Sequence, residues 1–305
     1  MSEALVFGSV NIDQVVYLPR PPKVGETLEG ESVETFLGGK AANQAVALSR
    51  LGTSVSFVGN VGQDSFGKEL VSSLSNEDIN LSMLGSVNEK TGTALINVFE
   101  NSENQIIYIP GANKLTSHKQ ATSESLEAAS IIVSQMEVNP KEVEQLFANS
   151  KNKNCINVLN LAPFKEPSNT LIAHTDILVF NELEFSLFAS LDTSIPLELD
   201  SLKEKLENLN LNHKLSLIVT LGERGLAYYE NHKMDYIEAV KVNAVDTVGS
   251  GDCFVGALSY SLLQGRSLEE SCEFANKSAA LSVTKKGAAT SMPKMEEVRL
   301  SLIHI

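Results

Sequence analysis

DTVGSGDCFVGAL, the stretch from residue 246 to residue 258, joins a glycine-rich turn to the start of an apolar helix. Apolar side chains recur at positions i, i+3, i+4 and i+8 from Phe254, which predicts a helix that starts near Gly251. The first N–H groups of a helix have no partner inside it, and the helix dipole adds about half a positive charge there. The segment therefore suits an anion such as a phosphate, with Asp252 at its mouth to accept a proton from an attacking hydroxyl. In the alternative interpretation, Asp252 only caps the helix and the glycines only form a turn.

Short apolar runs alternate with helical periodicity through most of the remaining chain. This alternation predicts an α/β protein with a doubly wound, mostly parallel sheet that carries helices on both faces. The predicted strands cover residues 4–10, 54–58, 131–133, 156–159, 177–180 and 217–221. The predicted helices cover residues 41–51, 66–74, 141–148, 182–190, 199–209 and 267–284.

Two stretches interrupt the alternation. Residues 14–37 contain three prolines and a strand-like end, and residues 94–110 contain two apolar runs with the pattern of a hairpin. Neither stretch fits the alternation of one strand with one helix, so both are expected to lie outside the main sheet. We therefore predict a single domain over residues 1–305, with a small β appendage made of these two insertions.

The composition is that of a soluble globular protein that avoids polyanions. The 305 residues include 24 Lys and Arg against 38 Asp and Glu, and the net charge of −14 argues against nucleic acid or an anionic membrane as partner. Three scattered cysteines argue against a disulfide scaffold or a structural zinc site and fit a reducing compartment. Without an apolar run of membrane-spanning length or a signal peptide, a cytoplasmic location is expected.

Two common nucleotide-binding signatures are missing from the sequence. No segment matches the P-loop pattern G-x-x-x-x-G-K-[ST], and none matches the dinucleotide fingerprint G-x-G-x-x-G. The second absence counts against a nicotinamide-dependent dehydrogenase.

Polar side chains in the first half of the chain suit the hydroxyls of a polyol. Asn11 and Asp13 follow the first predicted strand, at the carboxyl end where open α/β sheets bind ligands. The segment GGKAAN, residues 38–43, opens a predicted helix with paired glycines whose amides, like the asparagine, can bind hydroxyls. Glu137 also follows a predicted strand. Ordinary turn chemistry, with the lysine in solvent, is the alternative for these residues.

Two segments in the second half suit a nucleotide. Asn181 and Glu184 open a helix directly after a strand, where an amide and a carboxylate suit a phosphate and a hydrated Mg²⁺. The segment TLGERG, residues 220–225, follows another strand and has the glycines needed for close approach to a flat or anionic ligand. Helix capping and a plain turn are the respective alternatives.

In their order along the chain, these motifs resemble the ribokinase branch of the PfkB-type carbohydrate kinases. The resemblance extends from Gly8 to about Pro293. Its motifs are Asn11-x-Asp13, Gly38-Gly39-Lys40-x-Ala42-Asn43-Gln44, Gly111-Ala112-Asn113, Asn181-x-x-Glu184, Thr220-Leu221-Gly222-x-x-Gly225 and Asp246-Thr247-x-Gly249-x-Gly251-Asp252. Members of that family have a doubly wound α/β domain and a small β-sheet lid, often shared in a dimer.

The resemblance implies a role for each matching residue. Asp252 matches the catalytic base, and the anion hole matches Gly249, Ser250 and Gly251. The sugar contacts match Asn11, Asp13, Gly39, Lys40, Asn43, Glu137 and Asp252. The ATP contacts match Asn181, Thr220, Gly222, Gly225, Gly251 and Asn276, with Glu184 near the Mg²⁺. A loop pair that holds a potassium ion matches Asp246, Val248, Ser282, Lys285, Gly287 and Ser291.

Three positions depart from the family pattern. Ala41 replaces a glycine that is usual in the family, and its methyl group is expected to reduce the space near the sugar. Leu161 replaces the first proline of an N-P-A-P segment, and Asn276 replaces a histidine that some members stack on adenine. None of the three is the base or part of the anion hole, so the departures are expected to change affinities only.

The resemblance implies an ATP-dependent kinase that phosphorylates the O5 hydroxyl of D-ribose, giving ribose 5-phosphate and ADP. It also implies Mg²⁺ or another divalent cation, activation by K⁺, and a homodimer formed through the lid. One alternative is a kinase for deoxyribose or another small sugar or nucleoside. Another is a non-catalytic sugar or nucleotide sensor on the same fold, which has no need of a base at Asp252.

Overall fold

A nine-stranded sheet forms the centre of the computed structural model, which describes residues 3–100, 104–150, 155–209 and 215–303. In order across the sheet, its strands are β13 (Lys233–Ile237), β12 (Leu226–Glu230), β11 (Ser216–Thr220), β10 (Ile177–Asn181), β9 (Ile156–Asn160), β8 (Ala129–Gln135), β1 (Glu3–Phe7), β4 (Ser54–Gly62) and β5 (Ile79–Val87). The strands from β11 to β5 are parallel, and β12 and β13 add an antiparallel hairpin at one edge. The predicted doubly wound, mostly parallel sheet is confirmed.

Helices cover both faces of this sheet and divide its core in two. One apolar cluster lies under α1 (Lys40–Arg50), α2 (Ser65–Ser75), α8 (Ser250–Leu263), α9 (Leu268–Ser282) and α10 (Met295–Ile303). The other lies under α3 (Ser123–Ala128), α4 (Pro140–Ser150), α5 (Asn169–Ala173), α6 (Glu182–Phe188) and α7 (Leu199–Asn208). Alternate residues of β1 enter the two clusters, as the period of two in a strand requires. Within the described ranges, no helix is both long and apolar enough to cross a membrane.

The sequence did not predict strand β5 or the β12–β13 hairpin, which form the two edges of the large sheet. An edge strand buries only part of its surface, so exposed residues interrupt the apolar run that identifies a central strand. Strand β5 shows this, since buried Ile79 and Met83 alternate with exposed or half-exposed neighbours. Strand β13 has no buried residue at all.

A second, four-stranded sheet lies beside the large one. Its order is β3 (Ser32–Gly38), β2 (Asn11–Leu18), β6 (Gly92–Phe99) and β7 (Asn104–Ile109), with β2 and β6 parallel and the other pairs antiparallel. These strands begin and end within a few residues of the predicted insertions. Residues 101–103 of the predicted hairpin lie outside the described residues. The division of the chain into one domain with two insertions stays a prediction.

The first predicted strand was too long, which changes the location of two site residues. Strand β1 ends at Phe7, and the next strand already starts at Asn11. Val10 is fully buried, but its N–H bonds the side-chain Oδ1 of Asn113 at 3.0 Å instead of a neighbouring strand. Val10 was assigned to the strand because it is apolar, and a residue buried outside a strand gives the same pattern in the sequence. Asn11 and Asp13 therefore belong to the small sheet, not to the carboxyl edge of the large one.

Candidate active site

The start of α8 has the geometry that its glycines predicted. Gly249 precedes the first helical residue, Ser250, with a left-handed φ of 76°. A Cβ at Gly249 would lie 2.9 Å from the Cα of Ala288, so a side chain at this position would collide with the neighbouring loop. The positive end of the helix faces a cavity of about 110 Å³ whose lining includes Gly249, Gly251 and Asp252. This cavity has the surroundings that an anion requires.

Asp252 is held from both sides by the first turn of α1. Its Oδ2 accepts a hydrogen bond from Asn43 Nδ2, and its Oδ1 accepts one from Gln44 Nε2, both at 2.9 Å. Only 6% of Asp252 is exposed. Each carboxylate oxygen has two lone pairs, so both keep capacity to accept a proton from a substrate. Asp252 lies inside the first turn of α8 and bonds two side chains of α1, so it is not a residue that only caps its own helix.

The glycine pair before α1 lets the chain pass close to β2. Gly39 has φ = 90°, and a Cβ there would lie 2.8 Å from the backbone N of Asn11. Asn43, in the first turn, has a buried Oδ1 without a hydrogen-bond partner among the described residues, so this atom is available to a ligand hydroxyl.

Lys40 provides the positive charge of the site. Burial lowers the pKa of its ammonium, but the nearby carboxylates of Asp252, Glu137, Glu184 and Asp13 outweigh this and raise it. Lys40 therefore stays charged at neutral pH, and it lines the same cavity as Asp252. Lys40 is partly buried, and its position in the cavity favours a role in the site over a purely solvated side chain.

Asp13 is the most perturbed carboxylate of the site. Burial, followed by the charges of Glu137 and Asp252, raises its pKa to about 7, although Lys40 opposes the shift. Its Oδ1 is buried with no hydrogen-bond partner in the described part of the chain. A buried carboxylate oxygen without a donor is unfavourable unless a ligand supplies one, so Asp13 suits a molecule with hydroxyl groups.

Two further side chains near Asp13 are oriented by the protein itself. Asn113 Nδ2 donates to Asn11 Oδ1 at 2.7 Å, which directs the NH₂ group of Asn11 elsewhere. Glu137 Oε2 accepts hydrogen bonds from Ser9 Oγ at 2.5 Å and from the N–H of Lys40 at 3.1 Å. The small sheet, the start of α1 and the loop after β8 thus meet around one polar site.

A larger cavity of about 650 Å³ adjoins the start of α8. It shares Thr220 and Gly251 with the smaller cavity, so the two form a continuous track. The predicted nucleotide contacts Thr220, Gly222, Gly225 and Asn276 all line it. One wall consists of apolar side chains from the 239–244 segment and from α9, which suits a flat ring.

Asn181 and Glu184 cap α6 and also reach the anion cavity. The backbone N of Glu184 donates to Asn181 Oδ1 at 2.8 Å, and the N of Asn181 donates to Glu184 Oε2 at 2.9 Å. Both residues line the smaller cavity with Asp252. Burial raises the pKa of Glu184, while the Asn181 N–H and Lys40 oppose the shift. Both residues therefore cap the helix, and the same carboxylate lies at the cavity, so the role of Glu184 beside a nucleotide stays a prediction.

The two loops predicted to hold a potassium ion lie against each other. Asp246 Oδ1 accepts from the N of Val248 at 3.0 Å, and its Oδ2 accepts from the N of Gly287 at 2.8 Å. The Lys285 ammonium is paired with Glu297, so only its backbone is available to an ion. The hydroxyls of Ser282 and Ser291 donate to carbonyls of their own turns.

Residues 1–295 match the model of the pfkB family of carbohydrate kinases. The chain belongs to this family. The ribokinase of Schizosaccharomyces pombe is 38% identical over 98% of this chain and 97% of that protein, and a deoxyribokinase of Salmonella typhi is 33% identical over 96% of both. The structure of Arabidopsis thaliana ribokinase complexed with ribose and ATP has a TM-score of 0.89, with 30% identity and full coverage of both chains. The predicted family and fold are confirmed, and the chain is an ATP-dependent sugar kinase.

Two departures from the family pattern lie in the core of this PfkB-family kinase. Ala41 is fully buried, and a Cβ at Gly8 would lie only 2.8 Å from its methyl group. The methyl thus packs over Gly8, and its effect on the sugar site stays a prediction. Leu161 is fully buried in the apolar cluster under α3 to α7. Asn276, at the third position, donates from Nδ2 to the carbonyl of Glu238 at 2.8 Å.

Four residues of the kinase site received no role from the sequence. Gln44 and Asn113 were quoted as parts of the family motifs without a role of their own. In the structure Gln44 contacts Asp252 and Asn113 orients Asn11. Gln135 and Asn160 end β8 and β9. The carboxyl-end rule that singled out Asn181 also applies to these two residues and could have found them.

Proposed function

We propose that this PfkB-family kinase is an ATP-dependent ribokinase, which transfers the γ-phosphoryl group of ATP to the O5 hydroxyl of D-ribose. The observation that carries the proposal is Asp252, a buried carboxylate in the first turn of α8 between a polar site and a nucleotide-sized track. Sequence relatives named ribokinase, and the similarity to a ribokinase complexed with ribose and ATP, support the same assignment.

The sugar binds between the small sheet and the start of α1. Ionised Asp13 accepts hydrogen bonds from ribose hydroxyls, which supplies the donor that its buried oxygen lacks. Asn43 Oδ1 accepts another, and the NH₂ group of Asn11 donates. Gly39, Lys40 and Glu137 complete the contacts. A site built from such groups rejects an analogue that lacks a hydroxyl, because its buried polar atoms stay unpaired.

Asp252 acts as the general base. As O5 attacks the γ-phosphorus, its proton passes to a free lone pair of the Asp252 carboxylate, the new O–P bond forms, and the bond to the β-phosphate oxygen breaks to release ADP. The backbone amides at Gly249 and Gly251, at the start of a 14-residue helix, stabilise the charge on the transferred group. The Ser250 N–H bonds the carbonyl of Thr247 at 3.3 Å and so must leave this partner to join them.

The nucleotide occupies the larger cavity and directs its phosphates towards α8. Thr220, Gly222 and Gly225 line the cavity near the polyphosphate path, and Asn276 lies beside the apolar wall that contacts the base. Asn181 lies at the shared end of the track.

Mg²⁺ or another divalent cation accompanies ATP in this proposal. The buried carboxylate of Glu184 supplies a hard oxygen ligand at the anion cavity, which fits a hydrated ion of this class. The bound ion neutralises polyphosphate charge.

K⁺ is proposed as an activator at the contact between the 246–248 and 282–291 loops. The Asp246 carboxylate, which already bonds the N–H groups of Val248 and Gly287, is the charged oxygen ligand that such an ion would use. Backbone carbonyls at Val248, Ser282, Lys285 and Gly287, and Ser291, would supply the other oxygens in this proposal. Residues 246 and 283 are joined by a backbone hydrogen bond, so the two loops are adjacent. Their contact with Gly249 links the site to the anion hole.

The proposal includes a cytoplasmic homodimer formed through the small sheet. Strand β7 is an edge of that sheet, and about half of each of its residues Ile106, Ile107 and Ile109 is exposed. An unpaired edge with large apolar side chains is a liability that a second copy of the chain would cover. The three cysteines are free and buried, which fits a reducing compartment.

A kinase for 2-deoxyribose is the second candidate, because relatives named deoxyribokinase are 33% identical over 96% of the chain. ADP release by the purified protein, measured with ribose, 2-deoxyribose, hexoses and nucleosides, tests the assignment. We expect ribose to give a kcat/KM at least about 100-fold above 2-deoxyribose and adenosine. A preference for 2-deoxyribose or a nucleoside would assign the protein to another branch, and sugar binding without ADP release would indicate a sensor.

A further inference from the structure

A chain of buried amides leads from Asp252 into the protein, and one of its members, Asn160, also lines the smaller cavity. Gln44 Nε2 donates to Asp252 Oδ1 at 2.9 Å and to Asn160 Oδ1 at 3.2 Å. Gln44 Oε1 in turn accepts a hydrogen bond from Gln135 Nε2. Gln44 and Gln135 are fully buried, and Asn160 is 7% exposed. Three elements, α1, β8 and β9, thus each contribute one amide to a single network.

The network fixes which end of the Gln44 side chain faces the carboxylate. An amide has a donor end and an acceptor end, and only the donor end is compatible with an ionised carboxylate. If the Gln44 amide turned over, its oxygen would face Asp252 Oδ1 and its NH₂ group would face the NH₂ group of Gln135. The contacts with Asp252 Oδ1 and Asn160 Oδ1 would both lose their donor. These two acceptors therefore fix the orientation of Gln44, and Gln135 Nε2 adds a hydrogen bond to the same orientation, although Gln135 Oε1 itself has no partner among the described residues.

A close approach by the backbone makes room for Gln135. A Cβ at Gly8 would lie 2.4 Å from Gln135 Oε1 and 2.8 Å from the methyl of Ala41. Because Gly8 follows β1 directly, the glycine lets the end of that strand pass over the amide. The chain thus gives up a side chain at this position to admit the glutamine.

We propose that Gln44 is a positioning residue for phosphoryl transfer, oriented by Gln135 and Asn160, and that it aims the Asp252 carboxylate at the attacking hydroxyl. Gln44 touches neither substrate nor reacting atoms in this proposal, which rests on the proposed function. Asn43 and Gln44 each bind one oxygen of Asp252, so together they prevent rotation of the carboxylate. A base that is aimed before the substrate arrives needs no reorganisation during the reaction.

Methionine at position 44 tests the proposal, because it has a similar length and no donor. For Gln44→Met we expect kcat to fall about 10-fold or more, while the calorimetric Kd of ribose changes less than about 3-fold. Gln44→Glu keeps the shape and replaces the donor with an acceptor, so we expect a loss of kcat at least as large. This second variant decides the matter if Gln44→Met does not fold.

A double-mutant cycle distinguishes positioning from general damage to the core. Because Gln135 acts through Gln44, Gln135→Met is expected to lower kcat about 3-fold or more in the parent protein and to have no further effect in Gln44→Met. Gln120→Met is the matched control. Its amide also bonds protein groups, Gly59 O at 2.8 Å and Asn60 at 3.2 Å, but none in the active site, so its kcat is expected to stay that of the parent.

Three results would overturn the inference. They are an unchanged kcat in Gln44→Glu or Gln44→Met, a loss confined to ribose affinity, and strictly additive effects of Gln44→Met and Gln135→Met. Ribose-dependent ADP release by the parent protein is measured first. If the parent shows none, the proposed function fails; if it shows normal turnover that the variants keep, only the role of Gln44 fails.

Discussion

At the scale of single residues, the reaction depends most directly on Asp252. Asp252→Asn removes the proton acceptor, and general-base catalysis typically contributes about 10²- to 10⁴-fold. We expect kcat to fall by at least about 100-fold, while ribose affinity measured by calorimetry changes little.

The replacement also removes one hydrogen bond, since an NH₂ group would face either Asn43 or Gln44. A thermal melt therefore accompanies the kinetic measurement and shows that the variant is folded. Asp235→Asn, at a surface carboxylate paired with Lys233, is the control and should keep full turnover. Turnover near that of the parent in Asp252→Asn would contradict the role of general base.

Asp13 predicts a pH dependence of sugar binding. Its pKa in the free protein is raised to about 7, mainly by burial and then by Glu137 and Asp252. If ribose needs the ionised form, about one molecule in eleven is competent at pH 6 and most are at pH 8. The calorimetric Kd of ribose should therefore be about 10-fold weaker at pH 6 than at pH 8. A Kd that is flat over this range would contradict the prediction.

The ionised Asp13 carboxylate is expected to lower the stability of the ligand-free protein, although sugar binding needs it. Because the folded state holds the Asp13 proton up to about pH 7, the unfolded state ionises first, and this group makes the free energy of unfolding fall as pH rises from about 4 to 7. Asp13→Asn should raise the Tm of the ligand-free protein by several degrees at pH 8 and by less than about half as much at pH 5. Ribose binding should be lost in the same variant. An equal change in Tm at both pH values would show that the charge is not the cause.

At the scale of elements, the contact between two loops predicts activation by a monovalent cation. The 246–248 loop leads into Gly249, and the 282–291 loop packs on it through Ala288, so an ion between them would hold the anion hole in place. We expect several-fold higher turnover in KCl than in a bulky organic cation at equal ionic strength. The Tm should rise in KCl as well, which is a readout independent of turnover.

Asp246→Asn is the sharper variant for this test. It removes the charge but keeps one acceptor for the backbone N–H groups of Val248 and Gly287 that Asp246 now binds. The response to KCl should disappear in it while the loops stay joined. Equal rates in both salts for the parent protein would show that no ion acts here.

At the scale of the whole molecule, the exposed edge of the small sheet predicts assembly. Light scattering after gel filtration should give twice the 33.0 kDa mass of one chain. Ile107→Lys places a charge on the exposed edge strand and should give a monomer. Leu300→Lys, at a similarly exposed leucine of α10, should remain a dimer. A monomeric parent protein would remove the dimer from the proposal.

Features that depend on neighbours along the chain could be predicted from the sequence. Helical spacing after Gly251 predicted α8, and the apolar runs predicted the central parallel strands, because local periodicity reports which face of an element is buried. The order of the motifs was enough to recognise the family. At the edges of the large sheet and at Val10 the apolar pattern did not match the strand structure, and the predicted strands were wrong there.

The tertiary structure alone decided how the site works. Gln44 and Asp252 are 208 positions apart in the chain, and nothing in the local sequence around either residue says that their side chains share a hydrogen bond. The raised pKa of Asp13 likewise comes from desolvation and from charges on other elements, which exist only after packing. The physical reason is the distance along the chain over which each interaction acts. Periodicity, capping and turns act within a few residues, whereas hydrogen-bond partners, burial and electrostatic fields are set by what the fold brings together.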